Sequence, residues 1–263
     1  MTNIEKHSPG SFCWIELATS DQAAAKTFYG KLFGWKCNDI PMGPDEFYSI
    51  FQIDGQDTAA AYTIRPDQRL QGVPSHWMIY VAVESADAAA AKAAQLGGII
   101  IAPAFDVFDA GRMAVLQDPA GAIFCVWEAK KNKGTGIAGV DGTLCWADLS
   151  TPDQEGASRF YSALFGWKIM KEDEKSGHNY NHIANGEDFI GGIPPAGHRD
   201  PKTPPHWLAY FTASNCDASA AKARELGAKF LMPPTTFEKV GRIAVIADPQ
   251  GAAFAIFQSA RRE

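Results

Sequence analysis

The stretch FCWIELATSDQAAAKTFYGKLFGW, Phe12 to Trp35, decides the fold because the chain writes it twice. It returns 132 residues later as LCWADLSTPDQEGASRFYSALFGW, Leu144 to Trp167, with 14 identities in the 24 positions from Cys13 and Cys145 onward. The first seven residues alternate in the manner of a strand. Ser20 or Asp21 can cap the helix that follows, Ala25, Phe28, Tyr29, Leu32 and Phe33 share one of its faces, and Gly34 stops it.

The duplication extends over the whole chain. His76–Ile101 matches His206–Leu231 in 11 of 26 positions and Ala110–Trp127 matches Val240–Phe257 in 9 of 18, at offsets of 130 to 132 throughout. A repeat of this length defines two homologous halves and governs every later assignment. Within each half the pattern is β-α-β-β-β, then β-α-β-β-β again. HWMIYVAV and the helix ADAAAAKAAQL open the second unit, and a DPAG or DPQG turn forms its last hairpin. We place the first domain at 8–129, a charged and then glycine-rich linker at 130–142, AKKNKGTGIAGVDG being expected to bury little, and the second domain at 143–260.

Composition narrows the partners. The 263 residues are 46% apolar and 21% charged, enough for a buried core. A net charge of −6 disfavours nucleic acid and anionic membrane. No run approaches the ~20 apolar residues of a membrane span. The N-terminus shows no signal-peptide core, and five cysteines without a C-x-x-C pair read as reduced thiols. A cytoplasmic protein is the expectation.

The strand, the FY…LFGW helix and the R-x-A-V-x-x-DP-x-G hairpin together resemble the vicinal oxygen chelate superfamily of glyoxalase I, bleomycin-resistance proteins and extradiol dioxygenases. The resemblance implies an α+β fold of tandem paired βαβββ modules. Each half is then an open, curved, mixed sheet forming a cup, with helices outside. It also implies a divalent metal held by His or Glu from the first and last strands of the modules. The positions that match are Trp14, Met78 and Cys125 in the first half, and Trp146, Leu208 and Ala255 in the second. Three or four converging N, O or thiolate donors are needed, so no catalytic metal is expected. A register slip bringing in Glu16, His76 or Glu128 keeps a divalent metal in the first cup as the alternative. HNYNH (178–182) has the spacing of a helical metal pair but lies in a strand-rich region.

Strand alternation sends Trp14, Glu16 and Ala18 into the first cup and Cys13, Ile15 and Leu17 under the helices. By the same parity His76, Met78, Tyr80, Cys125 and Trp127 join that cup. Trp146, Asp148, His206, Tyr210 and Phe257 line the second. Arg112 and Arg242, each following a glycine in a hairpin, are candidates for a ligand anion, or strand-edge ion pairs. The mixture of aromatic wall, carboxylate, imidazole and phenol suits a small organic ligand. Two functions stay open: a metal-free binder of the bleomycin-resistance kind, or a lyase, isomerase or dioxygenase on a small oxygenated substrate, with a metal or with Glu16 and His76 as acid and base. The chain is read as a monomer with pseudo-dimeric halves or as a homodimer.

Overall fold

A computed structural model describes residues 2–171 and 179–260. The first half contains β2 (Phe12–Thr19), α1 (Gln22–Phe33), β3 (Lys36–Gly43), β4 (Glu46–Ile53), β5 (Gln56–Thr63), a short α2 (Pro66–Leu70), β6 (His76–Ala82), α3 (Ala86–Gln95), β7 (Ile99–Val107), β8 (Gly111–Gln117) and β9 (Ile123–Ala129). The second half repeats this as β11 (Leu144–Ser150), α4 (Gln154–Phe165), β12 (Lys168–Lys171), β13 (Asn181–Asn185), β14 (Asp188–Ile193), β15 (His206–Thr212), α5 (Cys216–Glu225), β16 (Lys229–Phe237), β17 (Gly241–Ala247) and β18 (Ala253–Ser259). The remaining two strands, β1 (Thr2–Asn3) and β10 (Ile137–Ala138), pair with each other. None of the described helices is long and apolar enough to cross a membrane.

Each half is one eight-stranded mixed sheet, in the orders β3-β4-β5-β2-β6-β9-β8-β7 and β12-β13-β14-β11-β15-β18-β17-β16. The first strands of the two modules run antiparallel at the centre, with Glu16 opposite Met78 and Asp148 opposite Leu208. Both long helices open on an aspartate that accepts a backbone N–H (Asp21 from Ala24, Asp153 from Gly156) and close on a left-handed glycine, Gly34 or Gly166.

The helices stand outside the cups yet inside the molecule. One continuous apolar core joins Ile15, Leu17, Phe28 and Tyr29 of the first half to Leu149, Phe160, Tyr161 and Phe254 of the second. Two reciprocal clasps cross it. Tyr29 donates its hydroxyl to Asp248 at 2.9 Å and Tyr161 donates to Asp118 at 3.1 Å, while Trp77 and Trp207 donate their indole N–H to those tyrosines at 3.1 Å each. The DP-x-G turns, expected only to reverse the chain, therefore also hold the opposite half.

Two expectations change. The segment between the halves is docked and not a free tether: Thr135 and Ile137 are buried, and the Thr135 N–H bonds to the Cys13 carbonyl at 2.8 Å. Gly134, at φ 104°, permits that approach, because a Cβ there would stand 2.2 Å from the Cys13 oxygen. Second, β2 carries a bulge between Phe12 and Trp14. The extra residue breaks the alternation. Phe12 turns toward Trp167 and Trp207 of the other half, and Cys13 joins the cup instead of packing under the helices.

Candidate functional site

The first cup is a separate apolar cluster on the face of the sheet away from the helices. Cys13, Trp14, Ile50, Ala60, Tyr80, Cys125 and Trp127 are buried in it, with Tyr48, Met78, Met113 and Val115 half-buried around them. The parity expected for Trp14, Met78, Tyr80, Cys125 and Trp127 holds, since β6 and β9 run parallel with Tyr80 beside Cys125 and Ala82 beside Trp127. Trp14 is only 5% exposed, so its indole fills the cup more than it lines an open cavity.

Glu16 sits at the floor of this cluster. Tyr48 donates its hydroxyl to Glu16 Oε2 at 2.7 Å, and the Trp14 indole N–H donates to the same hydroxyl at 3.0 Å. Tyr80 is also within hydrogen-bonding reach of the carboxyl. Enclosure by apolar side chains outweighs these two phenols and raises the Glu16 pKa to about 7. The residue as a whole is half-buried, while its carboxyl is surrounded by protein. Burial first, and then the neighbouring Glu16, push the Tyr48 and Tyr80 phenols well above their ordinary range, which keeps both protonated as donors.

The second cup repeats this geometry in a closed form. Asp148 receives the Tyr180 hydroxyl at 2.6 Å and the Trp146 indole at 2.9 Å on Oδ1, and the Tyr210 hydroxyl at 2.6 Å on Oδ2. It is 7% exposed, against a half-buried Glu16. Burial raises its pKa, opposed by those hydrogen bonds.

Tyr48 and Tyr180 were not among the residues expected from sequence. A signal was present: at the 132-residue offset, EFYSI lies opposite HNYNH and the tyrosine is the one identity between them. The repeated Gln22 and Gln154 fix the start of these strands. Gln22 Nε2 donates to the Phe47 and Ala61 carbonyls at 3.0 and 2.8 Å, and Gln154 Nε2 donates to Asn179 and Ile193 at 3.2 and 2.8 Å.

Other expected residues lie elsewhere. Arg112 grips Asp87 at the start of α3 at 2.7 and 3.0 Å, and Arg242 grips Asp217 at the start of α5 at 2.7 and 2.8 Å. The reason is register: Met113 pairs with Trp127 on the cup side, which turns Arg112 to the helix side. His76 and His206 begin their strands opposite Ala18 and Ser150, at the rim, and place Nδ1 2.8 and 2.9 Å from the carbonyls of Pro74 and Pro204 in their own connectors. Phe257 is half-buried and pairs with Thr212 on β15. Of the spaced histidines, His182 stacks edge-on against Tyr180, 4.8 Å between ring centres, and His178 lies outside the described residues.

Among the described residues, the matching strand positions do not supply a divalent metal's donors in either cup. The strand positions that would supply ligands carry an indole, a thioether and a thiol in the first cup, and burial holds the Cys125 thiol far above its ordinary range. Glu128, the carboxylate a slipped register would recruit, instead caps α3 by accepting the Ala86 N–H at 3.0 Å. Among the described residues no three His, Cys, Asp or Glu side chains converge.

Gly111 supports the Trp127 wall of the cup. A Cβ on it would come within 2.3 Å of the indole. Gly111→Ala is expected to displace Trp127 and cost about 1–3 kcal/mol, the usual penalty of overpacking. Urea titration followed by tryptophan emission reads both effects, and an unchanged midpoint would refute the contact.

Comparison with known proteins agrees with this architecture. The family model of the Glyoxalase/Bleomycin resistance protein/Dioxygenase superfamily matches residues 11–126 and again 143–256. Over its full length the chain is 36% identical to the full length of a Mycobacterium tuberculosis protein named "Putative glyoxylase CFP32". It is 32% identical to the anthracycline biosynthesis protein DauV of Streptomyces sp. strain C5, over 97% of this chain and 95% of that one. Among solved structures, the Mn(II)-bound glyoxalase of Novosphingobium aromaticivorans superposes with a TM-score of 0.64 at 15% identity, covering 97% of this chain and 85% of that one. The 2,3-dioxygenase LapB of Pseudomonas sp. KL28 gives 0.65 at 14%, covering 100% and 95%. The chain belongs to the Glyoxalase/Bleomycin resistance protein/Dioxygenase superfamily.

Proposed function

We propose that the protein binds a small, partly flat organic molecule in its first cup without a catalytic metal. The observation that carries this reading is Glu16: a half-buried residue whose carboxyl has one phenol at 2.7 Å and another within reach, set in an aromatic and thioether wall. Such a floor orients a ligand through few polar contacts while the wall supplies dispersion and area burial. The second cup serves as its structural counterpart, with both Asp148 oxygens taken by side chains of the protein.

Acid–base catalysis is the second reading, and the Glu16 pKa of about 7 favours it. At neutral pH such a group is populated in both forms and can take or give a proton. Tyr48 is then the partner that positions it, in place of His76, whose ring is engaged at the rim.

Metal analysis of the purified protein with a thermal-shift screen of metabolites tests the first reading. Compounds that raise the melting temperature in the parent and not in Met78→Arg, which puts a charge into the cup, are the expected result. Stoichiometric Zn, Ni, Fe or Mn with an EDTA-sensitive melting temperature overturns it. A Glu16→Gln protein that binds such a compound but loses its turnover establishes the second reading.

A further inference from the structure

The groups facing Glu16 define what the first cup selects. From β2 comes the Trp14 indole, from β4 the Tyr48 phenol, from β5 the Tyr62 phenol, from β6 the Tyr80 phenol and from β9 the Cys125 thiol. The remaining wall is Ile50, Ala60, Met78, Met113 and Val115. Among these described neighbours there is no lysine, arginine or histidine. A ligand carboxylate or phosphate would find no counter-charge here, and it would face a carboxyl. A ligand cation would find one carboxyl, but only by ionising it inside an apolar enclosure.

An uncharged ligand escapes both costs. The hydrogen-bonding inventory at the floor is one of donors: Tyr48 and Tyr80 hold phenolic protons, and a protonated Glu16 adds a third. Tyr48 and Tyr80 turn their protons toward Glu16, so the Glu16 proton is the one with little to meet among the thioether, aliphatic and aromatic groups of the wall. The Tyr80 hydroxyl is shared between the Glu16 carboxyl and the Met113 sulfur, a weak acceptor at 4.0 Å, whereas its counterpart Tyr210 donates to Asp148 at 2.6 Å. In the second cup the same donors are consumed by the aspartate. The first cup keeps its carboxyl half-buried and divides Tyr80 between that carboxyl and a sulfur.

Building on the cup-binding reading above, we infer that the first cup selects uncharged, flat ligands bearing an acceptor oxygen of the carbonyl or quinone type, met by the Glu16 proton and the Tyr80 hydroxyl. Binding is then linked to the protonation of Glu16. The carboxylic acid donates to the ligand oxygen, and its ionised form presents lone pairs to lone pairs. With a free-state pKa of about 7, affinity is full below pH 6 and is lost as pH rises through 7.

Three naphthalene probes of one shape separate the possibilities: 2-acetylnaphthalene, 2-naphthoate and 2-naphthylmethylammonium, measured by equilibrium dialysis against the full chain. The expected result is that the ketone binds most tightly and about tenfold more weakly at pH 8 than at pH 6. Glu16→Gln, which keeps a donor that cannot ionise, is expected to bind the ketone with no such pH dependence, and Tyr80→Phe to bind it several-fold more weakly. Equal or tighter binding of the anion or the cation overturns the inference, as does a pH dependence that survives in Glu16→Gln. If the ketone fails to bind while other compounds bind in a Met78→Arg-sensitive way, this inference falls and the cup reading stands. If no compound binds in that way, both fall.

Discussion

Replacing Glu16 by glutamine is expected to stabilise the protein at pH 8 and to leave it nearly unchanged at pH 4.5. The folded state raises this carboxyl from 4.5 to about 7, so it binds the proton more tightly than the unfolded chain does. The stability this contributes is complete below the unfolded pKa and is lost as pH rises through 7, because the folded protein must then hold an ionised carboxylate in an apolar cup. A shift of this size corresponds to about 3 kcal/mol between the two ends of the window, at 1.36 kcal/mol per pKa unit. Glutamine preserves the shape and never ionises. Urea midpoints of both proteins at pH 4.5, 6, 7 and 8 check this, and the gap should open between pH 5 and 8. A constant gap across that range would mean that Glu16 titrates normally. A carboxyl that weakens the fold at physiological pH is the kind of group commonly kept for binding or chemistry.

Much of the fold was legible because the chain states it twice. The offset of 130 to 132 residues identified the halves, and the order of strands, helices and turns within each supplied the paired modules. The cup parity of Trp14, Met78, Tyr80 and Cys125 followed from period-two alternation. It failed one residue earlier, at Cys13, since a bulge inserts a residue and carries no signature in FCWIEL. Of the two readings given for Arg112, the structure shows the ion pair, with Asp87. Once Trp127 is assigned to the cup, the hairpin pairing of Met113 with Trp127 puts Arg112 on the other face, but that pairing is set by tertiary register and not by the glycine before the arginine. Tyr48 lay beyond strand-by-strand reading. Its partner Glu16 is 32 residues away on a different strand, and sequence shows neither the curvature that joins them nor the burial that tunes the carboxyl. The clasps between halves were hidden in the same way, since nothing in DPAG or DPQG reveals that the aspartate also faces a tyrosine 219 or 43 residues distant.

Those clasps carry the largest expected loss of stability. Asp248 is 2% exposed and accepts the backbone N–H groups of Gln250 and Ala252 on Oδ1, at 2.9 and 2.8 Å, while Oδ2 accepts the Tyr29 hydroxyl. Asp248→Ala removes the turn's internal acceptor and strands a buried phenol between the two halves in one step. Each buried donor left without a partner costs about 1–3 kcal/mol, so the sum is on the order of 3–5 kcal/mol. Tyr29→Phe leaves the turn intact but removes both the bond to Asp248 and the acceptor of the Trp77 indole N–H, and should cost about 1–3 kcal/mol. Asp118→Ala is expected to match Asp248→Ala, because the second clasp repeats the first with the halves exchanged. Calorimetry of these variants, of Tyr161→Phe and of the double variants separates a turn effect from an effect on the junction. Because each phenol also takes an indole N–H, double variants decide: if the aspartates only shape their own hairpins, Tyr29→Phe will cost as much in Asp248→Ala as in the parent, and Tyr161→Phe as much in Asp118→Ala. If they hold the halves together as the geometry requires, the tyrosine substitution will cost less in the aspartate background than in the parent, and each aspartate variant will lose cooperativity over the whole chain. That outcome follows from a single core shared by both sheets: with Phe28, Tyr29, Phe160 and Tyr161 packed into it from opposite halves, neither half buries its helices alone.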